Sequence, residues 1–165
     1  HTMKPVNPDE VTIRPFREQD RRRLKELTVE AFRDVSIDKN IEGRFGLLHG
    51  TTWQERKAKH IDDDIAANTN GVLVAEHDGE IVGYITVVID RRSKLGRIPN
   101  MAVDERYRGM GLGKRLVEES FGYMRAEGMQ YAKIETLDQN PIGQHLYPKL
   151  GFVEVARQIH YVRKL

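Results

Sequence analysis

Apolar and polar positions in the first half of the chain predict one strand and two helices. Residues 11–16 alternate between the two classes and are rich in β-branched side chains, which is typical of a strand. Apolar residues then recur every three or four positions and predict helices over about Glu18–Val35 and Thr52–Ala67. Residues 36–51 contain three glycines and predict an irregular connection between these helices.

The second half of the chain carries shorter apolar segments that are separated by turn residues. They predict strands at Gly71–Glu76, Glu80–Ile89, Leu95–Val103, Tyr131–Leu137, Phe152–Ala156 and Ile159–Val162. Longer amphipathic segments predict helices at Gly111–Glu127 and Pro141–Leu150. Elements in this order predict an α+β (mixed α/β) fold, in which about four helices flank a mixed, mostly antiparallel central sheet.

The length and composition are those of one ordered domain. The chain has 165 residues, of which 39% are hydrophobic and 32% are charged, so it can bury a sizeable core. We expect a single domain over residues 4–165. We interpret His1 and Thr2 as an expression remnant in front of a native Met3.

The composition also excludes several kinds of chemistry and of partner. The chain has no cysteine, which excludes disulfides, thiolate zinc sites and cysteine nucleophiles. No apolar run is long enough for a signal peptide or a transmembrane helix, so we expect a cytoplasmic protein without a membrane partner. The net charge of +2 is small for a nucleic-acid-binding surface, and we expect no nucleic-acid partner.

Charged runs in the first two helices predict exposed helix faces rather than binding sites. Residues 21–23 are three arginines and residues 62–64 are three aspartates, and we expect both runs to face solvent. Three consecutive helical side chains point about 100° apart and cannot converge on one ion. The histidines are scattered without convincing metal-ligand spacing, so we predict no metal site.

The strongest chemical signal is a glycine-rich segment between a predicted strand and a predicted helix. Its residues are Arg108, Gly109, Met110, Gly111, Leu112, Gly113 and Lys114. Glycines let the backbone approach a ligand closely, and the first N–H groups of a helix have no intrahelical partner. Together with the helix dipole, such amides favour a phosphate or pyrophosphate. A plain glycine-rich turn is the alternative interpretation.

Three known phosphate-binding patterns require different residues in this segment, and only one of the three fits. A P-loop requires a glycine where Arg108 stands and a serine or threonine where Arg115 stands. The dinucleotide-binding fingerprint requires a glycine where Lys114 stands. The pattern Arg108-x-x-Gly111-x-Gly113 instead resembles the Q/R-x-x-G-x-G/A motif of the GNAT superfamily of acetyl-CoA-dependent N-acetyltransferases.

A second segment strengthens this resemblance. Residues 140–152 read Asn-Pro-Ile-Gly-Gln-His-Leu-Tyr-Pro-Lys-Leu-Gly-Phe. They resemble the second signature of the family, which is an asparagine, a helix with Leu-Tyr, and then Gly-Phe. The resemblance covers residues 71–165, whereas residues 11–70 match only in the order of their elements.

The resemblance implies a GNAT fold that binds acetyl-CoA where its fourth and fifth strands, Leu95–Val103 and Tyr131–Leu137, splay apart. Pro99-Asn100 is the expected place for the bulge that opens this gap, because proline cannot donate to the strand ladder. An amide near Met101 is expected to polarise the thioester carbonyl. The implied coenzyme-binding residues are Met101, Ala102, Val103, Arg108, Gly109, Met110, Gly111, Leu112, Gly113, Lys114, Asn140 and Tyr147. Capping of the following helix is the alternative interpretation of Asn140.

The resemblance also implies two catalytic residues. Aminolysis of a thioester needs a base for the proton of the amine, and the departing thiolate gains from a proton donor. The ribosomal-protein alanine N-acetyltransferase branch of the family places a Glu base and a Tyr acid at the spacing of Glu135 and Tyr147. An exposed strand carboxylate and a core aromatic are the alternative interpretations, and Glu76 and Glu80 are weaker candidates for the base. Pro148 departs from the usual residues and is expected to disturb the helix end.

The resemblance implies an N-acetyltransferase that moves the acetyl group of acetyl-CoA to a primary amine by direct attack in a ternary complex. The amine is expected to bind between the first two helices and the sheet, near Phe45, Trp53 and Tyr84. The competing hypothesis is a non-catalytic acyl-CoA-binding module for regulation or sensing, because such a module needs neither Glu135 nor Tyr147. Dimers are common in the family, which leaves a homodimer open.

Overall fold

Five α-helices and seven strands make up the part of the chain that the computed structural model describes, residues 6–165. The helices are α1 (Arg21–Ala31), α2 (Ile37–Phe45), α3 (Trp53–Ala67), α4 (Leu112–Ala126) and α5 (Pro141–Lys149). The strands are β1 (Thr12–Pro15), β2 (Leu73–His77), β3 (Glu80–Ile85), β4 (Val88–Asp90), β5 (Leu95–Ile98), β6 (Met101–Val103) and β7 (Tyr131–Ile134). The expected remnant at residues 1–2 lies outside the described residues.

The strands form two sheets instead of one continuous sheet. One sheet has the order β1-β2-β3-β6 and is antiparallel throughout. The other has the order β4-β5-β7, in which β5 pairs antiparallel with β4 and parallel with β7. Two predicted strands are therefore each divided. The strand predicted over 80–89 is divided into β3 and β4, and the strand predicted over 95–103 is divided into β5 and β6.

The hairpin between β2 and β3 follows the prediction. Its turn residues, Asp78 and Gly79, have φ angles of 51° and 77°. Positive φ at both positions is the geometry of a two-residue hairpin turn, and Asp-Gly is one of the pairs that adopt it at low cost. The proline-containing strand β1 lies at a sheet edge, as Pro15 predicts.

Two apolar clusters pack on opposite faces of the antiparallel sheet. Helices α1 and α3 cover one face with residues that include Leu24 and Ile61, which are completely buried. Helix α4 covers the other face with residues that include Leu116 and Val117. Each such side chain contributes about 1.5–3 kcal/mol through burial, so these faces fix the position of α4 relative to the strands.

Residues 36–51 contain a helix that the glycine pattern did not predict. Ser36 accepts a hydrogen bond from the amide of Lys39 at 3.4 Å and caps α2. Gly46, with φ of 74°, ends the helix. Gly43 lies inside α2, where nothing stands within 4 Å of a Cβ position. A glycine inside a helix costs only about 1 kcal/mol, which a good cap offsets.

The closing strands predicted at Phe152–Ala156 and Ile159–Val162 are not formed. Residues Val153–Leu165, called the C-terminal segment below, belong to no helix or strand and are exposed throughout. Their composition favours a strand, but a strand requires a neighbour that accepts and donates its hydrogen bonds. The prediction was wrong, because the segment pairs with no strand among the described residues and strand composition alone does not form a strand.

Candidate active site

The bend between β5 and β6 opens a gap in the sheet. β5 and β7 pair as far as Ile98 and Ile134, whereas β6 pairs only with β3. The chain bends at Pro99 and Asn100, which confirms the predicted position of the break. One side of β6 is therefore unpaired, and we call the space between it and residues 135–137 the sheet gap.

The backbone of β6 turns free polar groups towards the sheet gap. The carbonyl of Asn100 accepts a hydrogen bond from the amide of Thr86 at 2.9 Å. Hydrogen-bonded positions alternate along an antiparallel pair, so the N–H and C=O groups of Met101 and Val103 point away from β3. Ala102 contributes its side chain to the core and is only 4% exposed.

The glycine-rich segment forms an exposed turn that opens α4. Gly109 and Gly111 have φ angles of 79° and 78°, a conformation that favours glycine, and the helix begins at Leu112. No side chain caps this end of the helix. Within residues 6–165, no hydrogen bond is donated by the backbone amides of residues 109–114. A row of N–H groups is thus open to an anion.

The basic side chains around this turn differ in whether hydrogen bonds to the rest of the chain hold them. Arg108 is exposed and has no ion pair among the described residues, and the ammonium of Lys114 lies 3.9 Å from Glu118. Arg115 instead donates to the backbone carbonyls of Pro8 and Val11 at 3.0 and 2.9 Å. Arg108 and Lys114 can therefore reach a ligand, while Arg115 holds the N-terminal region in place.

The turn lies directly beside the sheet gap. A Cβ atom at Gly113 would lie 3.6 Å from Cδ2 of Leu146 and 3.9 Å from Cε of Met101. The first turn of α4, the strand β6 and the helix α5 thus meet at Gly113. The open amides and the free backbone of β6 form one continuous surface.

Helix α5 borders this surface and carries two of the predicted site residues. The side chain of Asn140 accepts from the amide of Gly143 at 3.4 Å and so caps the helix. Tyr147 is half-buried with its ring 5.9 Å from that of Phe152, and burial raises the pKa of Tyr147 to about 12. Its hydroxyl has no hydrogen-bond partner among the described residues. Pro148 is accommodated in the last turn of the helix.

Glu135 follows β7 directly and lies at the other border of the sheet gap. Its side chain is 62% exposed, and Oε1 accepts from the ammonium of Lys133 at 3.1 Å. The weaker candidates for the base lie on the hairpin of β2 and β3. Glu76 accepts from Arg14 at 3.0 Å, and Glu80 stands 3.7 Å from Arg106.

A buried polar network, absent from the sequence-based prediction, holds the bend. Asp64 of α3 is only 8% exposed, and its Oδ2 accepts from the Thr86 hydroxyl at 2.9 Å and from the Asn100 side-chain amide at 2.6 Å. Burial raises the pKa of Asp64. Because Thr86 lies between β3 and β4 and Asn100 between β5 and β6, one carboxyl group fixes both divisions. The expectation that Asp64 faces solvent was therefore wrong.

Two further ionisable side chains of α3 extend this network. The ammonium of Lys57 donates to Oδ1 of Asn100 at 2.9 Å, stands 3.4 Å from Nδ1 of His60, and lies 4.1 Å from the ring centre of Phe32. Burial lowers the pKa of Lys57, and burial and the nearby Lys57 charge lower the pKa of His60. The sequence feature that could have predicted this group is the spacing of its members, because positions 57, 60 and 64 share one face of a helix.

Two of the three residues predicted to line the acceptor site belong to the core. Tyr84 is completely buried, and its hydroxyl shares a hydrogen bond with that of Thr28. Trp53 is only 5% exposed. Only Phe45, at 40% exposure, is open to a ligand.

The described residues contain neither a metal-binding group nor a membrane-spanning helix. Residues 6–165 contain no group of three or more His, Cys, Asp or Glu side chains that could hold a metal ion. None of their helices combines the length and the apolar character needed to cross a bilayer.

Comparison with known proteins identifies the family. Residues 23–152 match the family model described as the acetyltransferase (GNAT) family, and the chain belongs to that family. The chain is 35% identical over 100 residues to an N-alpha-acetyltransferase of Sulfurisphaera tokodaii. The aligned region covers 54% of this chain and 60% of that relative.

Solved structures share the fold. PH1933 from Pyrococcus horikoshii OT3 superimposes with a TM-score of 0.72 at 20% identity, covering 90% of this chain and 92% of that one. A GNAT family acetyltransferase from Brucella melitensis, solved in complex with acetyl-CoA, superimposes with a TM-score of 0.61 at 23% identity. That match covers 87% of this chain and 83% of the Brucella protein. The GNAT fold predicted from the two sequence motifs is confirmed.

Proposed function

We propose that the protein transfers the acetyl group of acetyl-CoA to a primary amine by direct attack in a ternary complex. The observation that carries this proposal is the row of open amides at residues 109–114, which borders the sheet gap. Family membership supports acetyl-CoA as the phosphate-bearing ligand, as does the acetyl-CoA bound to the Brucella relative.

The coenzyme would bind along the surface formed by α4 and β6. Its pyrophosphate would accept hydrogen bonds from the amides of residues 109–114, with Arg108 and Lys114 adding positive charge. The amide of its pantetheine arm would pair with the free N–H and C=O groups of Met101 and Val103. The small size of Gly113 leaves room for the arm where α4, β6 and α5 meet.

The reaction at this site is aminolysis of a thioester. The amine nitrogen attacks the thioester carbon, an N–C bond forms, and the C–S bond breaks to release the CoA thiolate. A backbone N–H of β6 near Met101 would donate to the carbonyl oxygen while it carries negative charge. The amine loses one proton and the thiolate gains one, so the site needs a base and an acid.

Glu135 and Tyr147 are proposed for these two roles. Glu135 borders the sheet gap with an exposed carboxylate, which can accept the proton directly or through a water molecule. Burial raises the pKa of Tyr147 to about 12, so its phenol is a weaker acid than in water but is protonated at neutral pH and can donate a hydrogen bond to the thiolate. The absence of cysteine agrees with direct attack, because no enzyme thiol is needed.

Calorimetry with CoA and measurement of CoA release with a panel of amines test this proposal. Peptide α-amines come first in the panel because of the name of the Sulfurisphaera relative. We expect Glu135→Gln and Tyr147→Phe each to lower kcat by about 10²–10⁴-fold with little change in CoA affinity. Glu119→Gln, an exposed glutamate on α4, is the matched control and should leave kcat unchanged.

The same assays distinguish the competing hypothesis. CoA binding without turnover of any amine would indicate an acyl-CoA-binding module. An undetectable affinity for CoA would refute both hypotheses, because both require the open amides of α4.

A further inference from the structure

Lys57 is a half-buried cation that forms no ion pair with a carboxylate among the described residues. Its ammonium lies 2.9 Å from Oδ1 of Asn100, 3.4 Å from Nδ1 of His60 and 4.1 Å from the ring centre of Phe32. Burial and the nearby Lys57 charge lower the pKa of His60 below 6.5, so that ring is uncharged at neutral pH. Charged groups that leave water are normally paired with an opposite charge, so the surroundings of Lys57 lack an anion.

The two carboxylates that act on the Lys57 charge from a distance, Asp38 and Asp64, are bonded to other groups. Oδ1 of Asp38 stands 3.5 Å from Nε of Arg56, and Oδ2 of Asp64 accepts from the side-chain amide of Asn100 at 2.6 Å. Burial lowers the pKa of Lys57 in spite of both carboxylates. An anion beside the ammonium would therefore offset a desolvation cost that the described residues leave uncompensated.

Lys57 lies on the face of the sheet gap opposite to the proposed coenzyme site. Side chains alternate along β6, so Asn100 and Ala102 face α1 and α3, whereas Met101 packs on the side of α4. A Cβ atom at Gly113, in the first turn of α4, would lie 3.9 Å from Cε of Met101. A coenzyme on the α4 face and an acceptor beside Lys57 would thus reach the gap from opposite sides, which suits direct attack in a ternary complex.

Polar contacts bridge the sheet gap on the face where Lys57 lies. Nδ2 of Asn40 in α2 donates to Oε1 of Gln139 at 2.9 Å, and Nε2 of Gln139 donates to the carbonyl of Asp34 at 3.0 Å. Gln139 follows β7, while α2 packs against α3. These bonds therefore connect the two borders of the gap. An ion pair in such a partly covered space is screened less by water than one on an open surface.

We propose that Lys57 binds a carboxylate of the acceptor, so that the protein selects primary amines with a carboxylate a few bonds from the attacking nitrogen. An ammonium has three N–H donors, and those directed to Asn100 and His60 leave one for the carboxylate. The carboxylate would stand close to the reacting atoms, because Asn100 is adjacent to Met101 and consecutive Cα atoms are about 3.8 Å apart. This inference rests on the proposed function, since it identifies the acceptor of that reaction.

Two kinds of amine supply a carboxylate at this distance. A free amino acid carries its own carboxylate close to the amine. A peptide supplies one from the side chain of an acidic first residue, because the carboxyl group next to its free amine is part of a peptide bond. The chemistry at Lys57 is the same in both cases, and matched acceptors distinguish them.

Steady-state release of CoA with matched acceptor pairs tests the preference in the unaltered protein. One pair is β-alanine and its amide, and the other is two peptides that differ only in a glutamate or a glutamine as first residue. We expect kcat/KM to be about 10–100-fold higher for the carboxylated member of at least one pair, as for a hydrogen bond between charged groups. Preference in one pair alone identifies the kind of amine. Equal values within both pairs, or higher values for the amides, would overturn the proposal.

Substitution of Lys57 tests whether this residue causes the preference. Lys57→Gln should remove most of it, mainly by raising KM for the carboxylated acceptor, while kcat/KM for the amidated acceptor and the affinity for CoA change little. Lys59→Gln, at an exposed position of the same helix, is the matched control and should behave like the unaltered protein. Losses of the same size with both members of a pair would show that Lys57 acts only through Asn100, and would overturn its role in binding.

Failure of this inference is distinguishable from failure of the proposed function. Turnover of amines without a preference for a carboxylate refutes the role of Lys57 and leaves the proposed function intact. Absence of turnover with every acceptor refutes the proposed function, and the acceptor assignment with it.

Discussion

At the scale of single residues, Asp64 shows how one buried group determines the shape of the site. Its carboxyl oxygen accepts from Thr86 and Asn100, which lie at the two places where strands are divided. Buried donors that lose their acceptor cost free energy, because they are separated from water as well. The opening of the sheet gap therefore depends on a residue outside both sequence motifs.

Asp64→Ala should lower the free energy of unfolding by about 1–3 kcal/mol, the cost of a buried donor that loses its acceptor. The substitution removes the only acceptor of the Asn100 side-chain amide among the described residues, whereas the Thr86 hydroxyl keeps the carbonyl of Asn100 at 3.2 Å. Urea denaturation measures the change. Asp63→Ala is the control, because Asp63 is exposed and bonds only to Lys59 at 3.0 Å, and its effect should stay within about 0.5 kcal/mol. Equal effects of the two substitutions would contradict this role of Asp64.

Asp64 should also make stability depend on pH. Burial raises its folded-state pKa above the ordinary value of 3.8, so the folded protein binds this proton more readily than the unfolded chain. The resulting stabilisation is complete below about 3.8 and is lost as pH rises through the folded pKa. Relative to Asp64→Asn, the natural protein should lose stability over that interval. A constant difference between pH 3 and pH 8 in urea denaturation would refute this.

Gly111 tests whether the anion-binding turn depends on glycine conformation. Gly111→Ala places a side chain at φ of 78° and should destabilise the protein by about 1–2 kcal/mol while weakening CoA binding. Gly122→Ala is the control in the same helix, where nothing lies within 4 Å of the new methyl group, and it should stabilise the protein by up to about 1 kcal/mol. Urea midpoints and calorimetry with CoA report both effects. Changes of the same sign would contradict the argument.

At the scale of elements, prediction succeeded where the signal is local. The glycine-rich turn, the Asp-Gly hairpin and the Pro-Asn bend are determined by backbone preferences of a few adjacent residues, and all three are found where the sequence predicts them. The two motifs were also sufficient to predict the family.

Prediction failed where the deciding interaction comes from elsewhere in the chain. Helix α2 is an exception, because its cap at Ser36 is adjacent to the helix and a composition-based interpretation gave too much weight to the glycines. The division of β3 from β4 depends on Asp64 of α3, and no pattern within the strand records that contact. The C-terminal segment has strand composition, but pairing requires an edge that local sequence cannot supply.

The packing of α5 leads to a prediction at this scale. A Cβ atom at Gly143 would lie 2.5 Å from Oγ1 and 3.0 Å from Cβ of Thr136, so Gly143→Ala should push the helix away from residue 136. We expect a loss of about 1–3 kcal/mol and a lower kcat, because Tyr147 moves with the helix. Thr136→Ala should partly rescue the variant. Gly43→Ala is the control, since its methyl group would meet nothing within 4 Å.

At the scale of the whole molecule, a divided sheet creates both the site and the open edge. The division frees one side of β6 for a ligand and leaves β7 with a single neighbour. An open edge is usually protected by charge, by a bulge or by a covering element. Within residues 6–165 no strand pairs with the free side of β7, so the division that frees β6 for a ligand also leaves an open edge beside Glu135, at the border of the sheet gap.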